Sequence, residues 1–160
     1  MKDKRYALFK IKTKDENTVY LYCSDVESSK NKYAVHGIFE KTTNVSISVI
    51  ACDTKKVTDM GYMFFDCENL KELDIKNFNT TNVTNMEGMF SRCSSLTKLK
   101  FGINFNTKNV TNMKFMFNLC KNLKELEIVK KFNTTKVSHN NGMFNNCKGN
   151  IKNKILGEDK

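Results

Sequence analysis

Six cysteines and two histidines are the side chains of this 160-residue chain best suited to metal binding, disulfide formation or nucleophilic catalysis. Their spacing speaks against all three. Cys67, Cys93, Cys120 and Cys147 recur at intervals of 26, 27 and 27 residues, and no pair has the C-x-x-C spacing that a zinc knuckle or a thioredoxin-like site needs. Each follows a Met-Phe pair at helical spacing, where a free thiol serves as a small hydrophobe. The expectation is a ladder of buried, unpaired thiols, with Cys52 inside the same pattern and Cys23 outside it. His36 and His139 lie far apart and neither has a Ser, Cys or Asp partner in a recognisable catalytic arrangement. No phosphate-cradling glycine loop is present. No catalytic, cofactor-binding or metal-binding residue is therefore expected, and the chain reads as non-enzymatic.

The interval that separates the cysteines also governs everything around them. The segment VTDMGYMFFDCENLKELDIKNFNT from Val57 returns as VTNMEGMFSRCSSLTKLKFGINFNT from Val83 and VTNMKFMFNLCKNLKELEIVKKFNT from Val110. A broken fourth copy, VSHNNGMFNNCKGN, starts at Val137. A period near 27 belongs to stacked supersecondary units, each burying its apolar face on its neighbours.

Inside a copy the apolar period changes once. Met86, Met89, Phe90 and Cys93 stand at i, i+3, i+4 and i+7, as do Met60, Met63, Phe64, Cys67 and Met113, Met116, Phe117, Cys120. This stripe predicts a short amphipathic helix of about nine residues, held by stacking. Thr84 with Glu87 reads as a capping box, and Thr58, Thr111 and Ser138 as the equivalent caps. Asn69, Ser95, Asn122 and Gly149 suit a left-handed helix end. The period then becomes two: Leu73 and Ile75, Leu99 and Phe101, Leu126 and Ile128 predict short strands, entered through Leu70, Leu96 and Leu123. Phe78, Phe105 and Phe132 follow, each with an Asn-Thr turn signal. The five N-x-[S/T] sites (Asn44, Asn79, Asn82, Asn109, Asn133) mostly recur with the repeat and reflect turn chemistry rather than glycosylation.

The template also runs backward: Ile47, Val49, Cys52 and Val57 match Leu73, Ile75, Phe78 and Val83, so residues 44–57 form half a coil. Asn140, Asn150 and Asn153 replace apolar positions in the last copy, the polar decay that closes a repeat array. The predicted organisation is an N-terminal cap over 1–43, an array over 44–150 and a tail over 151–160. In the cap, YALFKIK and TVYLYC flank TKDEN and read as a β-hairpin, while YAVHGIF (33–39) fits strand or helix. The fold class is α/β.

The string VTNM…MF..C..L..L…FNT resembles the bacterial surface protein 26-residue repeat, the BspA-like branch of the leucine-rich-repeat proteins, over residues 44–150. The resemblance implies a right-handed solenoid with one parallel sheet, and adhesion or protein recognition as its role. It implies a cell-surface or secreted location too. The opening MKDKRYALFKIKTKDENTVYLYC shows no apolar run with a small-residue cleavage site, so no secretory signal is expected and a cytoplasmic location is also open. The sequence has no apolar run of membrane-spanning length. The resemblance supplies no catalytic residues.

Three surfaces are candidates for contact. Tyr62 and Phe115, with Phe65 and Leu119, would point away from the core; Gly88 and Gly142 hold the intervening positions, so the rings either lie across glycine gaps or form a partner-binding stripe. The strand columns Glu72, Lys98, Glu125 and Asp74, Lys100, Glu127 alternate in charge from coil to coil and predict a register-setting zipper. Lys55, Lys56, Lys76, Lys108, Lys130, Lys131 and Lys136 fall near the turns. They are the alternative site, for nucleic acid or another anionic surface. The net charge of +10 invites that reading. Along the sequence, however, the excess is spread as +3 over 1–43, +6 over 44–149 and +1 over 150–160, and only two residues are arginine, Arg5 and Arg92. A protein partner is the expectation; oligomeric state is not set by the sequence.

Overall fold

Strand pairing follows the repeat. The structure, a computed structural model, describes residues 54–148 and 150–157 in full, together with the backbone of strands at 7–13, 18–22 and 46–52. Strands β1 (Ala7–Thr13), β2 (Thr18–Tyr22), β3 (Ser46–Cys52), β4 (Glu72–Ile75), β5 (Lys98–Phe101) and β6 (Glu125–Glu127) form one sheet in the order β2-β1-β3-β4-β5-β6. β1 pairs antiparallel with β2 and β3, while β3 to β6 run parallel. Ile47 faces Leu73, Leu73 faces Leu99 and Leu99 faces Leu126, so each coil lies on the next with equivalent residues in register. The architecture is mixed α/β. Helix α1 (Ile151–Leu156) is the one α-helix among the described residues.

The Met-Phe-Cys stripe is buried as its spacing requires, but it is not helical. Met60, Met63, Phe64, Cys67 and their equivalents in the next two copies are all fully buried. The backbone reaches this arrangement by overlapping turns: Met89 N–H bonds the Met86 carbonyl, Ser91 that of Gly88 and Cys93 that of Phe90. Gly88 (φ 57°) and Arg92 (φ 65°) are left-handed, as are Tyr62 and Asp66, Phe115 and Leu119, Gly142 and Asn146. Two such residues per copy forbid a continuous helix. Alternate N–H groups point instead into the next coil. Those of Met60, Tyr62, Phe64 and Asp66 bond the carbonyls of Asn85, Glu87, Met89 and Ser91 at 2.7–2.9 Å. Inter-coil bonds thus satisfy the backbone groups that intrahelical bonds would otherwise have used.

The predicted caps change partners accordingly. Thr84 donates its hydroxyl to the Thr58 carbonyl of the preceding coil, and Thr111 and Ser138 repeat the contact. Glu87 accepts from the Tyr62 hydroxyl and the Asn112 side-chain amide rather than closing a capping box. Asn69, Ser95 and Asn122 are not left-handed; that conformation falls three residues earlier. Gly149 lies outside the described residues, as do Cys23, His36, Asn44 and the 33–39 segment.

Between the sheet and the turns the rings of Phe64, Phe90, Phe117 and Phe144 stack at centroid separations of 5.8, 5.3 and 5.7 Å. At the far end the tail is structured: α1 covers the strand half of the third coil, with Ile151 and Ile155 buried and the Phe132 N–H bonding the Ile155 carbonyl. Asn140, where the core methionine is lost, is exposed.

Candidate functional site

The turn ladder fixes the outward side chains before any partner is considered. Tyr62 and Phe115 occupy the first left-handed position of their coils and are half-exposed. Each ring lies across the glycine of the following coil. A Cβ added at Gly88 would come within 2.6 Å of the Tyr62 ring, and one at Gly142 would collide with Phe115. The glycine gaps are therefore filled, while part of each ring stays accessible. Tyr62 also donates to Glu87 at 2.7 Å. Burial, then that hydrogen bond and the carboxylate charge, push its phenol up to about 12.

Phe65 meets Tyr62 edge-on at 5.5 Å and carries the Arg92 guanidinium over its face at 6.0 Å. Arg92 Nε also lies 2.9 Å from Asp66. Phe115 has the Lys114 ammonium 5.2 Å from its ring centre. Leu119 is half-exposed at the second left-handed position. Tyr62 and Phe65 are thus in direct contact, while Phe115 and Leu119 lie two coils away on the same face.

The basic edge is a product of stacking. Lys55, Lys56, Lys76, Lys108, Lys130, Lys131 and Lys136 are all exposed. Their loops are clamped coil to coil: the buried Thr54, Thr80 and Thr107 hydroxyls donate to the carbonyls of Asn79, Asn106 and Asn133 and accept from the same residues' N–H groups. The side chains of Asn82 and Asn109 add bonds to the Lys55 and Thr81 carbonyls. Residues 54–57, 76–83, 102–110 and 129–137 contain these seven lysines and no Asp or Glu. Lys76 reaches back to Asp74 at 3.3 Å, Lys131 to the Asn153 carbonyl and Lys136 to the Asn109 side chain. The Asn79, Asn106 and Asn133 side chains accept from the N–H two residues on, the turn chemistry expected of them. The recurring threonine of Phe-Asn-Thr was the signal for the clamp, and turn propensity alone does not reveal it.

On the sheet face the charge columns pair across coils: Lys98 with Glu125 at 3.2 Å and Lys100 with Glu127 at 3.3 Å. These contacts are exposed and contribute modestly to register.

The thiols are core groups. Cys67, Cys93 and Cys120 are buried and Cys147 is half-buried, all of them free. The Cys93 thiol donates to the Phe64 carbonyl at 3.0 Å and that of Cys120 to Phe90 at 3.1 Å. Hydrogen bonding to Cys67 and burial hold Cys93 well above the ordinary thiol range. Burial raises Cys120 and pushes Cys147 up to about 11. Such thiols are poor nucleophiles at neutral pH. No cluster of three or more metal-ligating side chains occurs among the described residues. No helix among them is long and apolar enough to cross a membrane.

Over residues 26–100 the chain is similar to a family described as Mycoplasma protein of unknown function, DUF285. No curated protein and no solved structure matches it. The copies beginning at Val83 and Val110 carry the same template past the end of the matched region.

Proposed function

We propose that this chain is a right-handed, leucine-rich-repeat-like solenoid of the BspA-like kind. In this reading it works as a non-enzymatic protein-interaction or adhesion module through the face bearing Tyr62, Phe65, Phe115 and Leu119. One observation carries the reading. Tyr62, Phe115 and Leu119 are bulky residues held at φ 53°, 56° and 61°, where glycine or asparagine would be at ease. Left-handed backbone at a bulky residue costs on the order of 1–3 kcal/mol and persists only where the surroundings enforce it, which is how contact sites store strain. Here the inter-coil ladder supplies the enforcement. The return is a set of rigid, half-exposed apolar groups, and aromatic anchors of that kind dominate protein interfaces.

The test compares the wild-type chain with a Tyr62→Ser, Phe115→Ser double variant as baits in the source cell's lysate, with thermal melting alongside. Partners lost from a variant that remains folded support the reading. A destabilised variant that retains every partner overturns it.

A second reading rests on the turn edge: its loops carry seven exposed lysines and no acidic residue of their own, Lys76 alone reaching back to Asp74, and such an edge suits nucleic acid or another polyanion. Phosphate-driven binding falls steeply with salt, and an aromatic interface does not. Salt titration of the captured complex therefore separates the two.

A further inference from the structure

Each coil but the last passes a row of four backbone donors to its successor. Met60, Tyr62, Phe64 and Asp66 donate to the second coil, and Met86, Gly88, Phe90 and Arg92 to the third. Met113, Phe115, Phe117 and Leu119 donate to the carbonyls of His139, Asn141, Met143 and Asn145 in the fourth, at 2.8–3.1 Å. The equivalent N–H groups of that fourth coil belong to Asn140, Gly142, Phe144 and Asn146. They have no acceptor among the described residues. The row is already shaped, because Gly142 (φ 67°) and Asn146 (φ 57°) keep the left-handed conformations of the inner coils. Phe144 stacks on Phe117 at 5.7 Å, is half-exposed and continues the aromatic column. Cys147 continues the thiol column in the same way. Helix α1 closes the strand half of this end through Ile151 and Ile155, while Asn140, Asn141, Asn145 and Asn146 remain exposed on the turn half.

We propose that the open turn edge of the fourth coil is a docking site for a coil of the same template carried by a different polypeptide. Its carbonyls would accept from Asn140, Gly142, Phe144 and Asn146 while an apolar ring covers Phe144. The surface continues an interface the molecule already makes three times, with the same donors, spacing and ring stack, so its complement is known from the inner coils. A row of solvent-facing donors matches a row of acceptors, as in strand addition to an open sheet edge. A second copy of this chain fits less well, because its matching acceptor row is Asp59, Gly61, Met63 and Phe65, and the two central residues, Gly61 and Met63, are buried. The proposal shares with the functional reading only the expectation of a polypeptide partner. It uses no residue of the Tyr62–Phe115 face, so the two stand or fall by separate experiments.

The probe is a synthetic peptide of residues 110–136, the third coil, added to the whole chain and followed by amide hydrogen exchange and chemical shift. It is titrated to about 2 mM, because an unfolded peptide pays its own ordering on binding. In dilute protein alone, the amides of Asn140, Gly142, Phe144 and Asn146 exchange fast while those of Met113, Phe115, Phe117 and Leu119 are protected. The peptide then protects and shifts the first set, and a scrambled peptide does not. Asn140→Pro, which deletes one exposed donor, weakens the peptide by about five- to tenfold, the loss of one net hydrogen bond. Three results overturn the proposal: protection of the four amides in dilute protein, protection that rises with protein concentration, or a peptide that leaves them unchanged.

Discussion

Thr80→Val isolates the clamp that holds the coils together at the turn edge. Valine matches threonine in shape, so no cavity opens and the change removes only the hydroxyl. That hydroxyl belongs to a fully buried residue and makes two bonds to Asn106, donating to its carbonyl at 2.7 Å and accepting from its N–H at 2.6 Å. At roughly 0.5–1.5 kcal/mol net per bond, the loss is about 1–3 kcal/mol. It stays below the full desolvation cost of two orphaned groups because the Asn106 loop is itself exposed. The molecule supplies its own control. Thr134 holds the same place in its Phe-Asn-Thr triplet but is exposed, with no hydroxyl bond to a further coil among the described residues, so Thr134→Val should fall within about 0.5 kcal/mol of wild type. Urea unfolding of both variants, read at an unchanged slope, gives the comparison directly. Thr80→Val as mild as Thr134→Val would refute the reasoning, and the recurrence of threonine would then reflect turn propensity alone.

Gly88→Ala should destabilise by about 1–3 kcal/mol through left-handed backbone and the Tyr62 contact together. Adding Tyr62→Ala should recover the steric part, so additive costs in denaturant unfolding would show that the ring does not rest on Gly88. Denatured protein should titrate as six free thiols; among the four ladder thiols of the native state Cys147 should label first and Cys67, Cys93 and Cys120 slowly. Prompt native labelling of Cys93 would contradict its burial. The thiols of Cys93, Cys120 and Cys147 stay protonated in the native state above their ordinary value of 9.0, whereas the unfolded chain ionises there. The native state therefore binds more protons, and stability should fall as pH rises from about 9 toward 11. Melting temperatures that stay flat across that window would count against it.

The sequence alone determined the period, the core positions and the register. Leu73, Leu99 and Leu126 had to align because slipping a strand by one residue would turn its apolar side chains to solvent. It also placed Cys67, Cys93 and Cys120 in the core, since one spacing recurs with one residue type. It did not determine the backbone of the Met-Phe-Cys stripe. Apolar residues at i, i+3, i+4 and i+7 face one side of a helix and equally one side of overlapping turns. What separates the two is where the N–H groups find acceptors, and those lie 25 or 26 residues away in the next coil. The lysines near the turns were legible in the sequence, but the threonine clamps that hold their loops coil to coil were not, because each joins residues 25 or 26 apart. The strain at Tyr62 and Phe115 and the open donor row at Asn140 to Asn146 have the same origin. Each is a relation between coils, and only the tertiary structure brings coils into contact.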